Sequence, residues 1–341
     1  MNKETFLKSE AKAAKLFINS RKTGRLSSAY LLYGERNAPL KESALFLAKS
    51  LGCEKDLLAC DECDSCKRFD KGIHPDFVLI NGETTRIKKE DIQNLQDKFS
   101  ESAFEKGHRL CYVIHRVENI TEKAANTILK FLEEPREGQV AILTSYNIDK
   151  VLKTILSRSV LVRIDPIDEK EMQRELLENP IVLSDNDEDK KKKKKEEDIS
   201  FNEGEAYILS HYFSSYESVK ETLQNDRSFL EGYQIAEGFL NDLTSSVAQA
   251  GYTLLFQTSL KKGATCYNWM YLIIHEVFAA VLLNDVKEDN PFRDIIMKLS
   301  KNKNKIARAD AVVKEALAYQ HINYNPTLLS ARLIKALDEE K

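Results

Sequence analysis

Across the first half of the chain, short apolar runs alternate with stretches whose apolar positions recur every three or four residues. The runs are residues 29–33, 76–80, 110–114, 140–144 and 160–164. Each is short, nearly continuous and bounded by polar or turn residues, the pattern of sheet strands buried on both faces. The clearest helix between them opens at Thr121 as N-cap, sets Ala125, Ile128, Leu129 and Leu132 at helical spacing, and stops before Pro135. Strands that alternate with helices build βαβ units, so an α/β domain with a parallel sheet is predicted. After Asp165-Pro166 the strand pattern ceases. From Phe229 onward, long amphipathic stretches, including residues 269–283 and 309–318, predict a helical bundle. Its last segment, 326–337, sets Leu328, Leu329, Leu333, Ile334 and Leu337 on one face, read as core.

A length of 341 residues exceeds one ordinary core, and the pattern divides it at 1–166, 167–226 and 227–341. With 42% hydrophobic and 31% charged residues the composition is that of a soluble globular protein. No apolar run approaches the roughly 20 residues of a membrane span, and the first residues lack the apolar stretch of a signal peptide, so a cytoplasmic chain without membrane contact is expected. The net charge of -3 gives no global drive toward nucleic acid, and any DNA contact would need a local basic patch. Residues 185–198 run acidic, then through Lys190 to Lys195, then acidic again. Like charges repel and cannot bury apolar area, so this reads as a solvated insertion, its lysines offset by flanking carboxylates.

Of the 6 cysteines, Cys53, Cys60, Cys63 and Cys66 crowd together, with overlapping C-x-x-C spacings at the end. In a reducing compartment such a set suits a metal better than disulfides, and four thiolates close the tetrahedral shell of a structural zinc site with no position left for water. His74 is an alternative to one thiolate. Cys111 and Cys266 stand alone and read as inert.

The turn after the first run raises a second chemistry. A phosphate-binding loop needs G-x-x-x-x-G-K-[ST] between strand and helix, so that backbone N–H groups, a lysine and a hydroxyl meet phosphates and magnesium. Gly34 holds the first place, but Pro39, Leu40 and Lys41 stand where glycine, lysine and the hydroxyl residue belong. A donor N–H, the charge and the metal-binding hydroxyl are lost together. The acidic pair expected at the end of a buried strand is replaced by His115-Arg116, which cannot hold a cation as carboxylates do.

Taken in order, Ala29 to Gly34, the four cysteines, His74-Pro75-Asp76, Ala124-Ala125-Asn126, the stretch from Leu129 to Pro135 and Leu156-Ser157-Arg158-Ser159 resemble the bacterial DNA polymerase III clamp-loader subunits of the AAA+ class. The resemblance covers roughly the first half, with the later helices similar in layout and in the final Asn325-Pro326 helix. It implies an AAA+ α/β domain over 1–166 carrying the zinc module at about 53–66, a helical lid over 167–226 and an oligomerising collar over 227–341. In this family the gamma/tau subunits hydrolyse ATP. The delta-prime branch has lost the nucleotide motifs and keeps the zinc module, and this sequence falls on that side. The resemblance implies gamma/tau and delta as partners, with primed DNA and the sliding clamp reached through the assembly, no ATP on this chain, and Arg158 as an arginine finger for a neighbour's ATP. Ser159 departs from the family's cysteine at that motif; Arg163 is less well placed. In the lid, Ser215-Tyr216-Glu217-Ser218 puts Glu217 where nucleotide-binding relatives carry an arginine. The alternatives are an active ATPase with a diverged loop and a zinc-ribbon nucleic-acid reader.

Overall fold

Five parallel strands form the sheet of the N-terminal unit, in the spatial order Phe77–Asn81, Cys111–His115, Val140–Ser145, Ala29–Tyr33 and Val160–Arg163. A computed structural model describes residues 1–83, 85–101, 109–183, 197–260, 262–318 and 325–339. It divides into two units, Met1–Ile167 and Asp168–Lys341. In the first, helices α1 Lys3–Ser9 and α2 Ala11–Lys22 precede β1 Ala29–Tyr33, then α3 Leu40–Leu51, α4 Asp64–Asp70, β2 Phe77–Asn81, α5 Lys89–Glu101 and β3 Cys111–His115. After these come α6 Glu122–Glu133, β4 Val140–Ser145, α7 Lys153–Leu156 and β5 Val160–Arg163.

Alternation along the central strands builds two apolar layers. Tyr30, Leu32, Val113 and Ile142 point to the face covered by Phe17 of α2 and by Ala44, Leu47 and Leu51 of α3. Leu31, Tyr112, Ile114 and Leu143 point to the other, against Leu95 and Phe99 of α5 and Ile128 and Leu132 of α6. Strands β1, β3 and β4 match the doubly buried pattern, but β2 and β5 are edges and expose Leu79, Val160 and Leu161. An edge strand lacks a neighbour on one side, which an apolar run alone cannot reveal. Helix α6 is capped as expected, Thr121 Oγ1 accepting the Ala124 N–H at 3.4 Å, although Leu129 is only partly buried.

The second unit comprises α8 Glu169–Glu178, β6 Ile181–Leu183, β7 Glu197–Ile199, α9 Glu203–Tyr212, α10 Tyr216–Asn225, α11 Ser228–Leu243, α12 Val247–Ser259, α13 Ala264–Leu283, α14 Arg293–Leu299, α15 Lys303–Ala318 and α16 Pro326–Asp338. The expectation that strands end at residue 166 fails here. Antiparallel β6 and β7 flank the charged insertion, because Ile181, Val182 and Ile199 give its two ends a short β-prone pairing. The lysine run 190–195 lies outside the described residues. Trp269 of α13 stacks on Phe213 at 5.9 Å and meets Phe229 of α11 edge-on at 5.2 Å, fastening the end of α9 to the long helices. Helix α13 is 20 residues long and apolar enough to cross a membrane by length and composition, although Asn268, His275 and Glu276 interrupt its apolar run, so that no continuous apolar stretch of that length stands in the sequence. Its Tyr271, Ile274 and Phe278 are buried, as the core helix of a bundle requires. On α16, Leu329, Leu333 and Leu337 are core, whereas Leu328, at the margin of the stripe, is exposed.

Glu10, at the junction of α1 and α2, is buried and its Oε2 accepts the Asp165 N–H at 3.4 Å. Burial, with the charge of Asp165 adding to it, raises its carboxyl to about 7. A carboxyl raised in the folded state leaves stability intact below its unfolded value and removes it as pH rises toward the folded one. Glu10→Gln should therefore stabilise the protein by about 2 kcal/mol at pH 8 and by almost nothing at pH 4, read from urea midpoints at the two pH values.

Candidate functional site

The ligand atoms of Cys53, Cys60, Cys63 and Cys66 all lie within 4.8 Å of one another. A tetrahedral zinc shell with bonds of about 2.3 Å sets its sulfurs about 3.8 Å apart, so the set is compatible with one ion. Three of the four cysteines are buried and Cys60 is half-buried. Asp61 takes a left-handed backbone conformation, φ 61°, which turns the chain between Cys60 and Cys63. The Cys63 N–H then points at Cys60 Sγ and the Cys66 N–H at Cys63 Sγ, each at 3.4 Å. Backbone donors from Glu62 and Cys63 bring the Cys60 thiol down to about 7, whereas burial pushes Cys66 up. A bound cation is what deprotonates such a buried thiol, so this donor set fits a thiophilic metal and could hold one.

The module is pinned from behind by contacts between residues far apart in sequence. Lys49 of α3 reaches Asp61 and Asp70, both at 2.6 Å. Arg21 of α2 donates to the carbonyls of Ser50 and Leu57, and Ser50 Oγ accepts the Ala59 N–H at 2.9 Å. His74 is not among the clustered ligands. Its ring bonds Ser65 Oγ at 3.0 Å and the Asp76 N–H at 3.2 Å, bracing the exit from α4. Cys111 and Cys266 are separate and buried, and burial raises both thiols.

At the C-terminal end of the sheet, β1 runs into Gly34 and α3 starts after Pro39. A Cβ on Gly34 would meet the Ile164 carbonyl oxygen at 2.6 Å and Ala38 Cβ at 2.8 Å, so close packing alone demands this glycine. Lys41 turns to Glu83 at 3.8 Å. His115 ends β3 in a buried position, its Nδ1 2.8 Å from Thr144 Oγ1 on β4, and burial aided by the charges of Lys41 and Arg116 lowers it to about 3. It is neutral at ordinary pH. Arg116, itself left-handed at φ 60°, donates its N–H to the same Thr144 oxygen and lays its guanidinium over Tyr146, 5.6 Å from the ring centre. Thr144 and Tyr146 organise this corner and escape a reading of the sequence, because only strand pairing brings β4 beside β3.

Arg158 follows α7 on the surface of the same unit. One terminal nitrogen donates to Glu133 Oε1 at 2.6 Å and the other to the Thr154 carbonyl at 3.0 Å. Arg163 lies on β5, 3.5 Å from Glu35 and 3.7 Å from Asp165. In the second unit Glu217 occupies the first turn of α10, whose N-cap Ser215 forms a capping box with Ser218. A carboxylate there suits the positive end of the helix.

Because Lys49 holds the loop between the clustered cysteines without touching a thiol, Lys49→Met should weaken retention of added Zn2+ about 10–100-fold. Competition with a colorimetric chelator reads this directly, and a helical circular-dichroism spectrum like that of the parent separates it from unfolding.

Residues 9–168 match the family described as DNA polymerase III, delta subunit. The chain is 37% identical over 173 residues to DNA polymerase III subunit delta' of Bacillus subtilis, covering 50% of this chain and 52% of the relative. It is 31% identical over 156 residues to DNA polymerase III subunit gamma of Buchnera aphidicola subsp. Acyrthosiphon pisum, covering 45% and 43%. The chain thus spans about half the length of these curated relatives. Among solved structures it is similar to a DNA polymerase III gamma subunit-related protein of Thermotoga maritima, with 18% identity, TM-score 0.39, and 94% of this chain and 99% of that one covered. Over residues 9–168, motifs and matches agree in what the chain resembles: it is similar there to DNA polymerase III subunits, delta' among them.

Proposed function

We propose that this chain is a catalytically silent AAA+ subunit of a bacterial clamp loader, the counterpart of delta-prime. In this reading it assembles in the cytoplasm with gamma/tau and delta to place the sliding clamp on primed DNA. The observation that carries it is the corner where β1 and β3 end. Pro39 and Leu40 stand in the phosphate loop, and His115 is buried and neutral against Thr144 where a magnesium-holding carboxylate would be needed. ATP chemistry then belongs to a neighbouring gamma/tau subunit. The match to gamma subunits favours an active ATPase as the second reading.

The four cysteines hold one structural zinc in this proposal. The ion takes no part in a reaction; it fixes the chain from Cys53 to Cys66 and the start of α4. Residues 167–226 serve as the lid and 227–341 as the oligomerising collar. Arg158, held by Glu133 and the Thr154 carbonyl in the free chain, exchanges these partners in the assembly for the phosphates of the neighbour's ATP, where charge grows during transfer and its planar, permanently charged fork fits.

Purified protein should contain one zinc per chain by atomic emission, and Cys63→Ala combined with Cys66→Ala should lose it, since two thiolates cannot close the shell. Full zinc in that double variant would overturn the ligand assignment. In a complex reconstituted with gamma/tau and delta, Arg158→Ala should leave assembly intact and lower DNA-stimulated ATP turnover and clamp loading, because a finger given in trans is worth about 10³–10⁵ at the one site it serves. Arg158→Lys should rescue poorly, an ammonium lacking the fork. Normal loading by the alanine variant would reduce Arg158 to a surface residue.

A further inference from the structure

Residues 11–25 contain Lys12, Lys15, Arg21, Lys22 and Arg25 and no carboxylate, in a chain whose net charge is -3. Arg21 is turned inward onto backbone carbonyls. The other four are exposed, as is Lys8 on the preceding helix. On α2, Lys12, Lys15, Asn19 and Lys22 follow one another at helical spacing opposite the buried Ala13, Ala14 and Phe17, so the cations form a stripe on the outward face.

Local structure does not neutralise this stripe. The nearest carboxylates in sequence are Glu10, which is buried and bonded to the Asp165 N–H, and Glu4. Among the described residues Lys8, Lys12, Lys15, Lys22 and Arg25 form no ion pair, whereas Lys3 pairs with Asp56. Lys12 and Lys15 sit in the first turns of α2, the positive end of its dipole, with no acidic residue in that turn. Lys12 and Lys15, like charges at i,i+3 near that positive end, cost the helix a few tenths of a kcal/mol, so this end of the stripe works against the helix that carries it. An external polyanion would relieve that cost.

We infer that the outward face of α2 is a seat for a nucleic-acid phosphate backbone, read through charge and without regard to sequence. Lys12 to Lys22 span ~15 Å of helix, a length over which one DNA strand presents roughly four phosphates. Long, hydrated lysines contact phosphates as mobile point charges, and the face carries no stacking aromatic or base-reading asparagine pair that would add specificity. The choice of DNA over another polyanion rests on the clamp-loader reading; the polyanion seat itself does not.

Fluorescence anisotropy of the 341-residue chain, purified with Zn2+ present, against a labelled 20-bp duplex, repeated over a salt series, tests the inference. The parent should bind, with log affinity falling against log salt at a slope of about 3 to 5. Lys12→Glu, Lys15→Glu and Lys22→Glu together should weaken binding about tenfold or more at low salt and flatten the slope by about 3, with Lys→Gln at the same positions falling between. Lys287→Glu, Lys298→Glu and Lys301→Glu, which change net charge equally on exposed positions of the second unit, should have a much smaller effect. Equal weakening by both sets, an unchanged slope, no saturable binding by the parent, or binding to anionic vesicles in preference to the duplex would each overturn the inference. If the duplex binds through α2 but the chain does not assemble with gamma/tau and delta, the clamp-loader reading fails and the surface stands.

Discussion

The pairing of β1 between β4 and β5 is the constraint on which the first unit depends. Leu31 lies opposite Leu143 on one side and Leu161 on the other, and this register brings Gly34, the Thr144–Tyr146 corner and Arg163 to the same end of the sheet. Ligand chemistry in open parallel sheets gathers outside the carboxyl ends of the strands, where loops meet. The close contact of Gly34 with Ile164 and Ala38 locks that end further. The scaffold that would present a nucleotide site is therefore built whether or not the ligands are there.

At that end His115 and Arg116 stand where a nucleotide site needs carboxylates. Where a cation and phosphates would need carboxylate, lysine and hydroxyl, the corner offers a buried neutral imidazole committed to Thr144 and a guanidinium spent on Tyr146. Each is held by neighbours in the same corner, the Arg116 Nε lying 3.6 Å from Glu118 as well. The cysteine module, by contrast, concentrates four thiols, with backbone donors easing ionisation at Cys60 and burial resisting it at Cys66, on a loop braced by Lys49 and Arg21. A metal there would contribute to folding in proportion to its affinity.

Much of this was legible in the sequence because it rested on local pattern. The five apolar runs lie within one residue of the observed strands, and the four cysteines announced their cluster by spacing alone. What escaped depended on partners distant in sequence. The hairpin of Ile181–Leu183 and Glu197–Ile199 hides behind a charged insertion, and the exposure of β2 and β5 follows from strand order, which composition does not encode. His74 is a spare ligand by sequence alone, but the fold commits its ring to Ser65 and the Asp76 amide. The polar residues that interrupt Ala264–Leu283 concealed its apolar length.

In the proposed role this chain completes a neighbour's ATP site without holding a nucleotide of its own. Photo-crosslinking a radiolabelled azido-ATP analogue in the complex reconstituted with gamma/tau and delta, followed by separation of the subunits, tests it most directly. The account predicts label on gamma/tau and none above background on this chain. Saturable labelling of this chain, suppressed by unlabelled ATP and mapping to the segment between Gly34 and Lys41, would contradict it.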